Sequence, residues 1–264
     1  MNVRFDHIAL ALPRMADATP FLVGVLGGAP AFGADSGVYR FGQWRFANGA
    51  RLEVLEPSGN DGFLHRFLAT RGPGIHHVTF KVPSLREACA RAKAHGYEIV
   101  EENETNPYWK EAFLHPRQAL GIVVQFAESA RGGAAPPWTP PPAPPDAPAP
   151  VAIVGLRMRA HSRDRARTQW VTILEGEEAE AAGSLARLHV AEVAAPHRHR
   201  DRRRARGGAA RDRVQRQARG RRPPGTASRA GRHLPTVGAF LIFGYPRHCC
   251  QQARFAPVVG AKSA

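Results

Sequence analysis

FDHIALAL (Phe5–Leu12) returns seventy residues later as IHHVTFKV (Ile75–Val82). Each copy alternates apolar and polar residues with the period of two of a strand. Each carries a His near its start, His7 and His77. The repeat extends outward. RLEVLEP (Arg51–Pro57) closes the first copy and GIVVQFAE (Gly121–Glu128) the second, with Glu53 and Gln125 at matching places. His7 to Glu53 spans 46 residues and His77 to Gln125 spans 48. A duplicated unit that offers one ligand near each end is what a metal site shared by two half-domains requires.

The residues between these markers predict the same element order twice. In the first half, Val3–Leu12 is a strand. Met15–Leu26 has helical spacing and stops at Gly27-Gly28. Val38–Phe46 and Arg51–Leu55 are strands around an Asn48-Gly49 turn. Phe63–Thr70 is a short amphipathic helix or connection. In the second half, His76–Val82 is a strand. Ser84–His95 is a helix with Ser84 as N-cap, Glu87 as its capping-box partner and Gly96 beyond its end. Glu98–Glu102, Glu111–His115 and Ile122–Ala127 are further strands. Residues 1–130 are therefore expected to be an α+β domain of paired β-α-β-β-β modules around a cleft.

Composition misleads when taken whole. The chain has 264 residues and a formal charge of +15. Residues Arg187–Arg232 hold 15 Arg and no Lys against Glu192, Asp201 and Asp212, a net +12 in one block. The basicity thus belongs to a tail and says nothing of the front domain. That tail lacks interleaved aromatic residues and any recognisable nucleic-acid fold, so no specific nucleic-acid partner is expected. The three Cys form no framework of spaced pairs, which favours a reducing compartment. No signal peptide and no apolar run of about 18 residues is present, so a cytoplasmic protein with no membrane partner is expected.

Residues 131–150 are rich in Pro and Ala and read as a polyproline-like linker. Val151–Arg159 alternates like a strand, and Ser162–Leu174 reads as a helix with Ser162 as N-cap. Residues 151–183 thus resemble the start of a third β-α unit, but no strands are expected after it. Residues 184–264 are expected to be Arg-rich and disordered, too poor in large apolar residues to offset chain entropy. The loss of pattern near Gly183, with basic content from Arg alone, is what an out-of-frame translation of a GC-rich gene produces. An ordinary disordered basic tail is the other reading.

The two openings and the ending AFLHPRQALGIVVQF (Ala112–Phe126) resemble the vicinal oxygen chelate superfamily. It includes glyoxalase I, methylmalonyl-CoA epimerase, extradiol dioxygenases and fosfomycin/bleomycin resistance proteins. The resemblance is greatest to the epimerases, with their DHI opening, ELL-x-P segment, GxHHxxxxV and LHP…GVLxEL ending. It covers roughly residues 3–128. By position it implies His7, Glu53, His77 and Gln125 as metal ligands, and a homodimer. The epimerases usually have Glu where this chain has Gln125, and that Glu also serves as a base. Tyr39–Phe46 holds no acid to match their second base.

Two imidazoles, one carboxylate and one amide oxygen suit Co²⁺, Ni²⁺, Mn²⁺, Fe²⁺ or Zn²⁺ with open positions left for water. A metal there would act as a Lewis acid on a carbonyl oxygen. Glu53 is the only ligand able to double as the catalytic base; metal-bound water is the alternative. Taken singly, His7 and His77 read as structural histidines; as equivalent positions of a repeat they read as ligands. His76 is expected to face the other side of its strand and to be structural. His115 either shapes the turn before Pro116 or contacts substrate. Tyr108, Trp109 and Lys110 either cover the core edge or form a pocket lip, with Lys110 meeting an anion.

The expected function is metal-dependent isomerase or lyase chemistry, led by epimerase-like proton transfer on a small carbonyl or thioester substrate. One alternative is a non-haem Fe²⁺ extradiol-type dioxygenase built on His7, His77 and Glu53. The other is a non-catalytic small-ligand binding or resistance protein.

Overall fold

The computed structural model describes residues 3–130, 137–158, 160–179, 187–189, 240–244 and 250–252. Its centre is one eight-stranded mixed sheet assembled from two modules. The first module supplies β1 (Arg4–Ala11), β2 (Ala29–Asp35), β3 (Tyr39–Arg45) and β4 (Arg51–Pro57). The second supplies β5 (Gly74–Lys81), β6 (Ile99–Asn103), β7 (Trp109–Leu114) and β8 (Val123–Ser129). The order across the sheet is β2-β3-β4-β1-β5-β8-β7-β6. Within each module the opening strand runs parallel to the closing one, β1 beside β4 and β5 beside β8. The two opening strands meet antiparallel at the centre. The expected paired α+β modules are present.

Alternation along the strands assigns the two faces. Ile8, Leu10, Leu52, Val54, Val78, Phe80, Val124 and Phe126 point to one side and form the main core. That core is capped by α3 (Leu85–Ala94), which lays Leu85, Ala88, Cys89 and Ala92 against it at helical spacing. Ser84 Oγ accepts the Glu87 amide and caps the helix. The Glu128 carboxylate accepts the Leu85 amide at 2.7 Å, tying the helix start to β8.

The helix expected over Met15–Leu26 is broken into pieces. A 3-10 turn covers Met15–Ala18 and a single α turn, α1, covers Thr19–Leu22. Pro20 falls in the first turn of α1, where its missing N–H costs nothing but a new helix start is favoured. Turns then continue to Gly27, whose φ of 68° makes the left-handed exit that its position predicts. The Asn48-Gly49 turn is also present, with Gly49 at φ 81° and the Phe46 amide bonded to the Ala50 carbonyl.

The opposite face of the sheet is polar at its centre. There α2 (Phe63–Arg71) packs Leu64, Phe67 and Leu68 against Ala9, Ala11, Leu55 and Phe41. These contacts cover one end of the cleft.

Residues 137–150 form no regular element, yet they lie along the core side of the first module. The Trp138 ring meets Trp44 edge-on, with centroids 5.8 Å apart. A Cβ on Gly33 or Gly42 would fall inside the Trp138 indole, and one on Gly27 would strike the backbone of Pro148 and Ala149. These glycines thus make a track for the Pro-rich strap. The Val151 amide bonds Leu26 O at 3.0 Å, and Asn48 Nδ2 donates to Ile153 O at 2.8 Å. Gly33→Ala is accordingly expected to cost about 1–3 kcal/mol by overpacking. Urea unfolding measures that loss, and faster proteolysis between residues 137 and 150 reports the unseated strap.

β9 (Ala152–Arg157) follows, then α4 (Arg163–Arg167), capped by Ser162, and a π-helical turn at Thr168–Ile173. Arg91 Nε donates to Ile173 O at 2.9 Å, and the Trp170 ring lies tilted against Phe80 with centroids 6.0 Å apart, so this segment covers the core beside α3. Strands occur where none were expected. β10 (Glu177–Ala179) pairs with β11 (Arg187–His189). β12 (Phe240–Gly244) pairs with β9 and with β13 (Cys250–Gln252). The partner of β9 lies beyond the whole Arg-rich stretch, and local alternation cannot signal so distant a pairing. Most of that stretch, and the reading-frame question, lie outside the described residues. Among the described residues no helix is long and apolar enough to cross a membrane.

Candidate metal centre

His7 and Glu53, His77 and Gln125 come together on the polar face at the junction of the modules. β1 and β4 run parallel with Ala9 opposite Glu53, and β5 and β8 with Thr79 opposite Gln125. His7 and His77 lie two residues before these partners, on the same face. Their rings stand edge-on with centroids 5.6 Å apart. Glu53 Oε1 lies 3.5 Å from His7 Nε2 and 3.8 Å from His77 Nε2. One ligand atom from each of these three residues falls within 4.8 Å of the others, and all three residues are buried. Gln125 joins through Thr79, whose Oγ1 donates to Gln125 Oε1 at 2.5 Å and lies 3.0 Å from His7 Nε2. Soft thiolates are not part of the set. Two imidazole nitrogens beside a carboxylate and an amide oxygen fit a divalent first-row ion.

Two β-bulges shape the centre. Register shifts between Phe5 and His7 on β1, and opposite Ala9–Leu10 on β5, leave Asp6 and His76 as the extra residues. The two positions are equivalent in the repeat. Each extra residue turns its side chain onto Nδ1 of the His that follows it. Asp6 Oδ2 lies 2.7 Å from His7 Nδ1, and His76 Nδ1 lies 3.0 Å from His77 Nδ1. The expectation that His76 faces away is therefore corrected. The bulge cancels the alternation on which it rested, and His76 packs beside His77 and against Phe63 and Phe67 of α2.

The two imidazoles are shifted in opposite directions. Burial opposes a charged His7, but Glu53 and Asp6 outweigh it and raise His7 to about 9. Burial pushes His77 well below the usual histidine range, with the His76 and His7 rings adding to the effect. Burial also takes His76 down to about 4, against the pull of Glu53. Burial would raise Asp6, yet its bond to His7 and the charges of His7, Arg51 and Lys81 bring it to about 2. Arg51 Nη2 holds Asp6 Oδ1 at 2.5 Å. An ionised Asp6 on Nδ1 leaves Nε2 of His7 as the nitrogen directed at the centre. Asp6→Asn should weaken metal binding about 10- to 100-fold, as loss of such supporting carboxylates does; titration calorimetry with Zn²⁺ measures it.

Partners on neighbouring strands complete the site. Gln43 on β3 sits opposite Glu53, and its Nε2 donates to Glu53 Oε2 at 2.8 Å, leaving Oε1 toward the histidines. Arg51 Nη1 donates in turn to Gln43 Oε1 at 3.1 Å. Glu111 on β7 accepts from Gln125 Nε2 at 2.6 Å and from Trp109 Nε1 at 2.8 Å. Asp6, Gln43, Thr79 and Glu111 were not singled out in the sequence. Thr79 follows His77 by two residues on one face, and that period could have found it. Gln43 and Glu111 needed the cross-strand register.

Three other sequence candidates lie apart from the four. Trp109 is two residues along β7 from Glu111, on the same face, with Lys81 Nζ 4.9 Å from its ring centroid. Lys110 alternates to the other face and pairs with Glu104 at 3.2 Å and Glu128 at 3.4 Å. His115 lies past the end of β7, where its Nδ1 accepts the Arg117 amide at 3.1 Å in the following turn.

Residues 6–113 match the model of the Glyoxalase/Bleomycin resistance protein/Dioxygenase superfamily. Mitochondrial methylmalonyl-CoA epimerase of Bos taurus is 30% identical over 134 residues, covering 48% of this chain and 74% of that protein. The uncharacterized protein YqjC of Bacillus subtilis (strain 168) is 29% identical over 128 residues, covering 47% of this chain and 91% of that protein. A hypothetical protein of Bacillus halodurans C-125, known from its crystal structure, is 28% identical with a TM-score of 0.46, covering 51% of this chain and 99% of that one. The chain belongs to the Glyoxalase/Bleomycin resistance protein/Dioxygenase superfamily.

Proposed function

We propose that this chain is a divalent-metal-dependent isomerase that moves the proton α to the carbonyl of a thioester, as an epimerase does. The observation that carries the reading is the buried convergence of His7, Glu53 and His77 at the module junction, with Gln125 linked to it through Thr79. The similarity to methylmalonyl-CoA epimerase supports the substrate class. His7, Glu53, His77 and Gln125 would hold Co²⁺, Ni²⁺, Mn²⁺, Fe²⁺ or Zn²⁺. Such an ion, when bound, supplies Lewis-acid stabilisation of negative charge on a carbonyl oxygen.

The remaining chemistry belongs to the side chains. Gln43 occupies Oε2 of Glu53, so Oε1, the oxygen turned toward the histidines, is the one that would take a proton from the α-carbon. The apolar residues around Ala9, Leu55 and Leu64 keep water from that end of the cleft. Trp109, whose indole N–H donates to Glu111 Oε2, would cover the acyl group. The test is proton exchange at the α-carbon of methylmalonyl-CoA in D2O, followed by NMR, with the full chain loaded with Co²⁺. Washout of the α-proton supports the reading. A metal-loaded chain that exchanges nothing overturns it.

One observation favours a second reading. Two histidines and one carboxylate are the ligand set of non-haem Fe²⁺ oxygenases, and these are the three residues that converge most closely. That reading requires oxygen uptake with a catechol by the Fe²⁺-loaded chain.

A further inference from the structure

We infer that Glu111 is a positioning residue that fixes the Gln125 side-chain amide with its carbonyl oxygen toward the site. The inference rests on the metal-centred reading above and assigns a role to a residue outside its four ligands. The two ends of a glutamine amide are nearly the same in shape, so packing alone does not choose between them. Hydrogen-bond chemistry does, because a carboxylate only accepts and an amide nitrogen only donates. Glu111 Oε2 lies 2.6 Å from Gln125 Nε2, and its place is held by the Trp109 indole N–H at 2.8 Å. The nitrogen is thereby tied to β7. The oxygen is left facing Thr79 Oγ1, 2.5 Å away, and through it His7 Nε2.

A flipped amide would aim two N–H donors at the histidines and repel a cation. Glu111 makes the oriented state the one with satisfied bonds at both ends. Gln125 is almost fully buried, so water offers no substitute partner. The arrangement also restores local charge. The site carries an amide at the closing strand of the second module, and Glu111 brings a carboxylate beside it. The first module has the converse pair, with amide Gln43 supporting carboxylate Glu53. In each module one carboxylate and one amide face each other, in opposite order.

The test uses the full chain, ¹⁵N-labelled, read by NMR without metal and by Co²⁺ titration calorimetry. In the wild type the Gln125 side-chain N–H pair should be shifted away from the ordinary glutamine region and exchange slowly with solvent. Glu111→Gln, which can donate as well as accept, should return that pair to the ordinary region with the backbone spectrum unchanged. It should also weaken Co²⁺ binding about 10- to 100-fold. The exchanged pair Glu111→Gln with Gln125→Glu should regain Co²⁺ affinity, because carboxylate and amide again face each other. Trp109→Phe, which removes one donor to Glu111 and leaves the carboxylate, should give a smaller change of the same kind and serves if Glu111→Gln does not fold. An unchanged Gln125 amide pair and unchanged Co²⁺ affinity in Glu111→Gln would overturn the inference. A wild type that binds no Co²⁺ would instead remove the metal reading, and the amide spectrum would still decide the orientation.

Discussion

Glu53→Gln is expected to slow α-proton exchange about 100- to 10,000-fold, the contribution of a positioned general base, while the chain still takes up metal at saturating Co²⁺. The substitution preserves the shape of the side chain. It removes the ability to take a proton. Gln43 Nε2 donates to Glu53 Oε2, and that bond survives when Oε2 is the remaining carbonyl oxygen. Position 53 would then present an amide nitrogen to His7 and His77 in place of Oε1, so some metal affinity is lost as well. Calorimetry separates the two effects: exchange must fall far more than metal occupancy at saturating Co²⁺. Equal losses would make Glu53 a ligand only, and the base would have to be sought elsewhere.

Trp44→Ala is expected to destabilise the chain by about 3–5 kcal/mol, the cost of emptying a fully buried aromatic site. Trp44 is 0% exposed and sits on the core face of β3, directly behind Gln43. It packs edge-on against Trp138 of the Pro-rich strap. The substitution therefore leaves a cavity between the sheet and the strap and loosens both. Against a typical total of about 5–15 kcal/mol, this is a large share. Denaturant unfolding measures it. A loss below about 1 kcal/mol would mean that the strap and sheet collapse freely into the space, contrary to the edge-on packing of Trp44 on Trp138.

The repeat was legible because strands have a period of two and both modules carry the same markers. From it followed the paired modules and the meeting of His7, Glu53, His77 and Gln125. What escaped was whatever depends on register or distant chain. Alternation alone puts His76 on the wrong face, because a bulge adds one residue and local alternation has no sign of it. Glu111 lies on the strand next to Gln125, two residues from the position directly opposite, a relation that only the sheet defines. The Met15–Leu26 helix has the right apolar spacing, but Pro20 divides it. The strap has a linker's composition; its docking rests on Gly27, Gly33 and Gly42, each separated from it by about a hundred residues of chain. β12 supports β9 across a similar gap.

The measurement that bears most directly on the metal-centred site is the metal content of the purified full chain by mass spectrometry, in wild type, His7→Ala and Glu53→Ala. The geometry of His7, Glu53 and His77 predicts close to one divalent ion per wild-type chain, as isolated or after reconstitution, and its loss in both variants with folding retained. A wild type that takes up none of Co²⁺, Ni²⁺, Mn²⁺, Fe²⁺ or Zn²⁺, or variants that hold metal as well as the wild type does, would contradict the site and with it the proposed reaction.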